Sequence, residues 1–287
     1  MKRVLILLLA LLAVGTSKAQ QSWEIGPMVG VTYYNGDMNE YGHFHPDLTH
    51  LAYGLMVRNN LSSRWSMKYS ALLGNISGND QYFDNFFQQQ RNLSFTSRIY
   101  EASAQFEFNF FKYVGSDKSS YFTPTVFVGW GFFWFNPKAT NPETGVVEEL
   151  QYQRNENQAR QYRRFQPALP FGIGFRAKFN HRILLSAEWG LRRTWTDYLD
   201  DVSTSYPIEN NAYTINGNVT NPGFQRGNSK TKDWYSFAGL VVTYRFGHKP
   251  NDCHFHKINK RNNKRFMLNK LFQNRYKPSK NKPNRNQ

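Results

Sequence analysis

The sequence predicts an all-β fold: an eight-stranded antiparallel transmembrane β-barrel of the outer-membrane type, with a basic C-terminal tail. Three observations predict it. The chain begins with an export signal, eight segments alternate polar and apolar residues with a period of two, and their connections alternate between long and short. We therefore expect a signal peptide at residues 1–19, a barrel at 20–247 and a tail at 248–287.

The N-terminus has the three parts of a secretory signal peptide. Lys2 and Arg3 precede an apolar run at residues 4–14, and Ser17-Lys18-Ala19 provides a small-x-small cleavage site. The apolar run is shorter than the roughly 20 residues that a membrane-spanning helix needs. We therefore expect the mature chain to be exported without a helical anchor.

The predicted strands follow one another along residues 23–246. Their approximate bounds are 23–33, 51–58, 64–73, 97–111, 122–134, 168–179, 182–193 and 233–246. The clearest alternation is EASAQFEFNFF at 101–111, where Glu, Ser, Gln and Asn share one face and Ala and Phe share the other. This pattern fits a soluble barrel of lipocalin type with the aromatic face inside, or a membrane barrel with that face outside.

The connections favour the membrane barrel. They are long at 34–50, 74–96, 135–167 and 194–232, and short at 59–63, 112–121 and 180–181. Outer-membrane barrels have long outer loops and short periplasmic turns, whereas a soluble barrel has no reason to alternate them. An even number of strands then places both termini in the periplasm.

With lipid outside, the polar face of each strand lines the barrel interior. The candidate interior charges, which we interpret as structural, are Glu101, Glu107, Arg176, Glu188, Arg192 and Arg245, and their candidate partners include Arg58, Lys68 and Lys178. The fifth strand is apolar on both faces, so its facing stays open. Aromatic residues near strand ends fit interfacial girdles: Trp65, Phe122, Trp134, Trp189, Trp195, Trp234, Tyr235, Tyr244 and Phe246.

The tail carries most of the formal net charge of +16, because residues 248–287 contain 12 basic side chains and one acidic side chain. Apolar residues at helical spacing predict a short basic amphipathic helix at 262–276, with a solvated disordered tail as the alternative. The tail's candidate partner contacts are Lys264, Arg265, Lys270 and Arg275. Export makes nucleic acid an unsuitable partner despite this charge.

Four stretches carry a resemblance to a known family. They are HLAYGLMVRNNLSSRWSMKYSALLGNISG (50–78), RNLSFTSRIYEASAQFEFNFF (91–111), FTPTVFVGWGFFWFNPKA (122–139) and SAEWGLRRTWTDYLDDVSTSY (186–206). The chain thereby resembles the PorG family of Bacteroidota outer-membrane proteins. The resemblance implies a barrel of the type IX secretion system, associated with the periplasmic ring of PorK and PorN, that serves protein export or gliding.

The sequence indicates no enzyme, and we expect no cofactor and no metal. It has no G-x-S-x-G nucleophile elbow. His43 and His45 lie in an acidic loop that we interpret as exposed and polar. Asp197, Asp200 and Asp201 fit either a hard-cation site or a hydrogen-bonded loop base.

Two further functional readings stay open beside the secretion role. One is a stand-alone barrel in outer-membrane lipid that anchors the envelope or binds a ligand through its outer loops. The other is a lipid-modifying enzyme or a small-solute channel, which would need an outward-facing His, Ser and acid cluster or a water-filled bore.

Overall fold

A computed structural model describes residues 22–39, 45–113, 120–141, 144–156, 158–180, 182–207 and 223–247. The predicted signal peptide and the predicted tail, with its helix at 262–276, lie outside the described residues. Among the described residues, no helix is both long enough and apolar enough to cross a membrane.

The structure is a closed antiparallel barrel of eight long strands. They are β1 (Ser22–Asn35), β2 (His50–Asn60), β3 (Trp65–Asn79), β4 (Ser94–Asn109), β5 (Phe122–Thr140), β7 (Phe165–Lys178), β8 (Ile183–Thr194) and β9 (Trp234–Gly247), with a short ninth strand, β6 (Val147–Glu149), paired to β5. Each long strand pairs with its neighbours in the chain, and β1 pairs with β9 to close the ring. The predicted fold class is confirmed.

The barrel has two different ends. Connections 61–64, 110–121 and 179–182 lie at one end, together with Ser22 and Gly247. We call this the short-turn end, and the opposite end, with connections 36–49, 80–93, 141–164 and 195–233, the long-loop end. The alternation that the sequence predicts is therefore present.

Several predicted strand bounds were wrong at the long-loop end. β3 continues to Asn79, beyond the predicted 73, and β5 continues to Thr140, beyond the predicted 134. Outward positions in these extensions are polar, including Asn75, Ser77 and Asn136. The apolar alternation ends there because this part of the wall extends beyond the apolar band, so the sequence pattern underestimated the strands.

The outward face is apolar and the interior is charged. Phe106, Val128 and Trp130 are solvent-exposed, Val128 to 51%, whereas Glu107 is buried inside. A row of exposed large apolar side chains around a whole barrel is the arrangement that lipid requires. On β5, whose facing the sequence left open, Phe127 points inward.

One predicted girdle aromatic is not at the surface. Tyr235 is fully buried, and its hydroxyl donates a hydrogen bond to Glu101 at 2.9 Å. Its neighbour Trp234 is partly exposed, as expected when successive side chains of a strand face opposite sides. Nearness to a strand end therefore did not decide which aromatics face outward; parity did.

The seam between the first and last strands depends on glycine. A Cβ atom at Gly26 would lie 1.8 Å from the carbonyl oxygen of Val242, and one at Gly30 would lie 2.5 Å from the Cα atom of Gly239. Real Cβ atoms do not approach backbone so closely. Only glycine at these two positions lets the strands meet at this spacing.

Candidate functional site

Glu24 is the centre of a buried ion cluster near the short-turn end. Its carboxylate accepts hydrogen bonds from Arg58 at 3.0 Å, from Arg176 at 2.8 Å and from Arg245 at 2.8 Å. Glu24 is fully buried, and the Arg245 side chain is 17% exposed. One carboxylate thus joins strands β1, β2, β7 and β9 across the lumen.

Glu107 is the second acidic member of this ion cluster. It accepts from Arg58 at 3.1 Å and from Arg176 at 3.0 Å, and Asn109 accepts a further bond from Arg176 at 2.9 Å. The buried ring of Tyr113 lies 4.6 Å from the Arg176 guanidinium. Carboxylates, an amide and an aromatic face therefore contact these guanidinium groups, and the buried Nε atoms of Arg58 and Arg176 make no hydrogen bond within the described residues.

Two further ion pairs cross the middle of the lumen. Lys68 Nζ lies 2.6 Å from Glu188 and 4.3 Å from the centre of the Phe127 ring. Arg192 donates to Glu101 at 3.1 Å. Because a charge buried away from water is costly unless it is paired, these contacts explain why the interior tolerates so many charges.

The structure places all the sequence-predicted interior charges inside the barrel and in contact with opposite charges: Glu101, Glu107, Arg176, Glu188, Arg192 and Arg245. Glu24, which makes the most ion pairs of the cluster, was not among the predicted interior charges. Its parity was an available signal, because Glu24 lies between the outward-facing Trp23 and Ile25.

Apolar side chains fill the lumen beside the ion pairs. Met28, Met56, Leu72, Phe237 and Val241 form one buried cluster within the barrel. The interior of an eight-stranded barrel is just wide enough for its own side chains. Charged and apolar side chains together fill this one.

The long connections fold into a cap over the long-loop end. The cap includes two short helices, α1 (Phe86–Arg91) and α2 (Leu150–Gln153). Leu93, Leu199 and Val202 are fully buried and pack with side chains from the barrel wall. The loop at 194–232, which the sequence left without a role, therefore closes the barrel in its described part.

Charged residues tie the four long connections of the cap together. Arg91 donates to the Asp80 carboxylate at 2.7 Å, to the carbonyl of Arg226 at 2.6 Å and to the carbonyl of Asp37 at 2.8 Å. Arg226 in turn donates to Glu156 at 3.0 Å. Each of the four long connections contributes at least one residue to these hydrogen bonds, which hold the cap together as one unit.

An acid pair lies beneath the cap. The hydroxyl oxygen of Tyr34 is 2.6 Å from Asp200 and 2.9 Å from Asp233, both buried. A phenol has one hydrogen to donate, so the second hydrogen bond needs a proton on one carboxyl group. Burial and the neighbouring Asp37 raise the pKa of Asp200, and burial and Asp200 raise the pKa of Asp233, in both cases well above the usual range.

These shifts make the cap more stable in acid. Burial raises the pKa of Asp201 from 3.8 to about 6, although the nearby Arg226 opposes the shift. A raised folded-state pKa means that the folded cap binds more protons than the unfolded chain above pH 3.8. The stabilisation is present at low pH and is lost as the pH rises through the folded-state pKa values.

The acids proposed for a cation site are occupied by protein donors. Ser203 donates to Asp197 at 2.6 Å, and Asn155 donates to Asp201 at 2.7 Å. In the described ranges, no group of three or more His, Cys, Asp or Glu residues has an arrangement suited to a metal ion. In the first long connection His45 lies 3.9 Å from Asp47, and His43 is outside the described residues.

The structure brings together one His and one Ser that the sequence did not connect. His50 Nε2 lies 2.6 Å from Ser77 Oγ at the long-loop end. A nucleophilic serine also needs a group that orients its base. No carboxylate in the described part of the chain lies within ion-pair distance of His50.

One family model matches most of the chain. The family described as "Domain of unknown function (DUF6089)" matches residues 2–255. No curated protein matches the chain.

Three solved structures are similar to it at low identity. Ail, the attachment invasion locus protein of Yersinia pestis, is 12% identical, with 79% of this chain and 99% of Ail covered and a TM-score of 0.41. Neisserial surface protein A is 8% identical, with 78% and 97% covered and a TM-score of 0.40. OprG from Pseudomonas aeruginosa is 11% identical, with 80% and 98% covered and a TM-score of 0.40.

Proposed function

The chain belongs to the DUF6089 family, and we propose that it is a non-catalytic outer-membrane barrel of the type IX protein secretion and gliding machinery. In this role it is a PorG-type component of a Gram-negative Bacteroidota bacterium. Its partners are the periplasmic ring proteins PorK and PorN. The sequence resemblance in four stretches of the barrel motivates this assignment.

The filled lumen is the observation that carries a scaffold role. Ion pairs and apolar side chains occupy the interior, and the folded cap covers the long-loop end. Transport through the barrel is therefore disfavoured, which leaves the two end faces as the functional surfaces. The His50–Ser77 pair lacks an orienting acid among the described residues, which favours a non-catalytic role.

The short-turn face is the proposed docking face. Ser22 and Gly247 lie together at that end, and the predicted tail follows Gly247 in the sequence. If the short turns are periplasmic, the basic tail enters the periplasm at the same face. Its cations then attract an acidic surface of the ring, and the proposed contacts are Lys264, Arg265, Lys270 and Arg275.

Affinity capture tests this proposal. The tagged full-length chain is isolated from outer membranes in mild detergent, and the bound proteins are identified by mass spectrometry. We expect the PorK and PorN ring proteins with the full chain and reduced amounts after deletion of 248–287. Replacing the tail's four candidate cations by Gln should reproduce that loss. The matched control replaces the exposed cap residues Lys230 and Lys232 by Gln, which should leave ring recovery unchanged.

Two outcomes of the affinity capture would contradict this proposal in part or in full. Full ring recovery after the deletion would remove the tail from the docking face. Recovery of the barrel alone, in every form, would contradict the secretion role. It would favour a stand-alone envelope-anchoring or ligand-binding barrel, for which the cap offers an exposed aromatic surface: Phe86 is 73% exposed beside Phe87 on helix α1.

A further inference from the structure

A cavity of about 710 Å³ opens on the outside of the barrel wall at the long-loop end. Its floor consists of outward-facing side chains from β3, β4 and β5, including Asn75 and Thr96. Leu48, in the first long connection, and Val147, in β6, also line it. The cavity is therefore a groove in the outer surface and lies outside the lumen and its ion pairs.

Two cations line this groove. The Arg98 side chain is exposed and makes no hydrogen bond or ion pair with any other described residue. Lys138, on the neighbouring strand, lies 3.2 Å from Glu149, but that carboxylate also accepts from Arg164 at 2.9 Å. Asp47 is the lining carboxylate, and its side chain is 62% exposed. The lining cations therefore outnumber the lining carboxylate, and the floor of the groove carries net positive charge.

The groove meets the apolar band of the barrel directly. Tyr100 and Trp134 form its lower edge, with ring centres 5.5 Å apart. They are the next outward-facing pair below Arg98, about 7 Å closer to the middle of the barrel at the usual rise of a strand. Below them the outward pair is Ala102 and Phe132, which faces lipid. Tyr and Trp at such a boundary mark the level of lipid headgroups.

We propose that this groove binds a lipid by its phosphate group, with Arg98 and Lys138 as the cationic ligands. Asn75, which also lines the groove, supplies a hydrogen bond to the rest of the headgroup. The apolar chains lie against the outward face of β3, β4 and β5. A free anion would gain nothing from this aromatic edge and apolar surface, so the groove fits a lipid better than inorganic phosphate.

The lipid class follows from orientation, and this step alone rests on the proposed function. If the short turns are periplasmic, the long-loop end faces outward, and the groove lies at the outer leaflet. The occupant is then a phosphorylated outer-leaflet glycolipid. Arg98 and Lys138 are cations with donors that suit such a phosphate group.

Native mass spectrometry of the detergent-solubilised full chain, titrated with lipid A, tests the proposal. Combining Arg98→Ala and Lys138→Ala should weaken lipid binding roughly ten- to hundredfold, as expected for lost hydrogen bonds to a charged group. The matched control is Arg193→Ala. Arg193 is an exposed arginine at the same end, 5.9 Å from the ring of Trp234, and does not line the groove. This variant should bind lipid A like the unmodified chain.

Two further probes separate the possible ligands. Lipid A without its phosphate groups should bind weakly, and millimolar inorganic phosphate should not displace lipid A. Filling the groove by Thr96→Trp, which keeps both cations, should also reduce binding. Heat-modifiable migration on gels checks that each variant is folded.

Three results would overturn the proposal: unchanged binding by the double variant, equal binding of the dephosphorylated lipid, or displacement by inorganic phosphate. The affinity capture described above distinguishes a failure of lipid binding from a failure of docking to the ring proteins. A groove variant that loses lipid A and still recovers the ring proteins separates lipid binding from docking. A chain that still binds lipid A but does not recover the ring proteins would contradict the docking face only.

Discussion

The ion cluster around Glu24 gives the sharpest test of how this barrel is held together. Glu24→Gln keeps the shape of the side chain and removes one charge. Of the three guanidinium groups that Glu24 contacts at 2.8–3.0 Å, those of Arg58 and Arg176 would keep Glu107 as a partner, and that of Arg245 would lose the carboxylate with which it pairs. Breaking a buried ion pair by removing one partner costs about 3–5 kcal/mol. We expect a loss of that size in the free energy of unfolding.

Urea titration of the barrel in lipid vesicles, followed by tryptophan fluorescence, measures this loss. The matched control is Glu149→Gln. Glu149 also contacts two cations, but its side chain is 32% exposed, so its loss should cost about 1 kcal/mol or less. If Glu24→Gln destabilises the barrel no more than Glu149→Gln, the buried ion pairs of Glu24 do not stabilise the fold more than exposed ion pairs do.

A double variant tests whether the charges act together. Glu24→Gln leaves Arg176 with Glu107 as its carboxylate partner. Adding Arg176→Gln then removes this incompletely paired guanidinium group. The two changes together should therefore cost less than the sum of their separate effects, by about 0.5–3 kcal/mol. Strict additivity would mean that the two side chains contribute independently.

Three other predictions concern the cap and the seam. Asp200→Asn imitates the protonated acid, so the pH dependence of hydrogen exchange in 195–207, corrected for intrinsic rates, should become smaller. In the unmodified chain protection falls as pH rises, and in the variant the raised pKa of Asp201 still contributes to that fall. If the pH dependence of exchange is the same in this variant as in the unmodified chain, the proton inferred between Asp200 and Asp233 is contradicted. Arg91→Lys loses the paired hydrogen bonds to Asp80 and should raise the rate of hydrogen exchange in the cap by about tenfold or more, while the strands stay protected. If exchange rises equally in the cap and in the strands, the cap does not open separately from the barrel. Gly26→Ala should prevent heat-modifiable folding because its Cβ meets the β9 backbone, and normal folding would show that the seam can widen.

Much of the interior was predictable because strand parity is a local property. Glu101 and Glu107 lie on the polar face of a segment whose other face is aromatic, and the structure places both inside. Glu24 follows the same rule and was available to the same reasoning. Where neither face borders lipid, as in the extension of β3 to Asn79, the alternation disappears, and the predicted strand bound was therefore wrong.

The pairing of the charges was not predictable in this way. Glu24 and Arg245 are 221 positions apart in the chain and meet only because β1 closes against β9. The hydrogen bond to Asp200 likewise depends on Tyr34 reaching it from β1. Such contacts depend on register and on burial from several elements at once.

The sequence alone thus determined the strand-by-strand architecture, because side-chain alternation and loop length are written along the chain. It also determined which face of most strands is charged. Only the tertiary structure decided which charges meet, that the long connections form a buried cap, and that β3, β4 and β5 leave a groove above the apolar band. These features arise between distant segments, where the free energy of each contact depends on neighbours that no local pattern records.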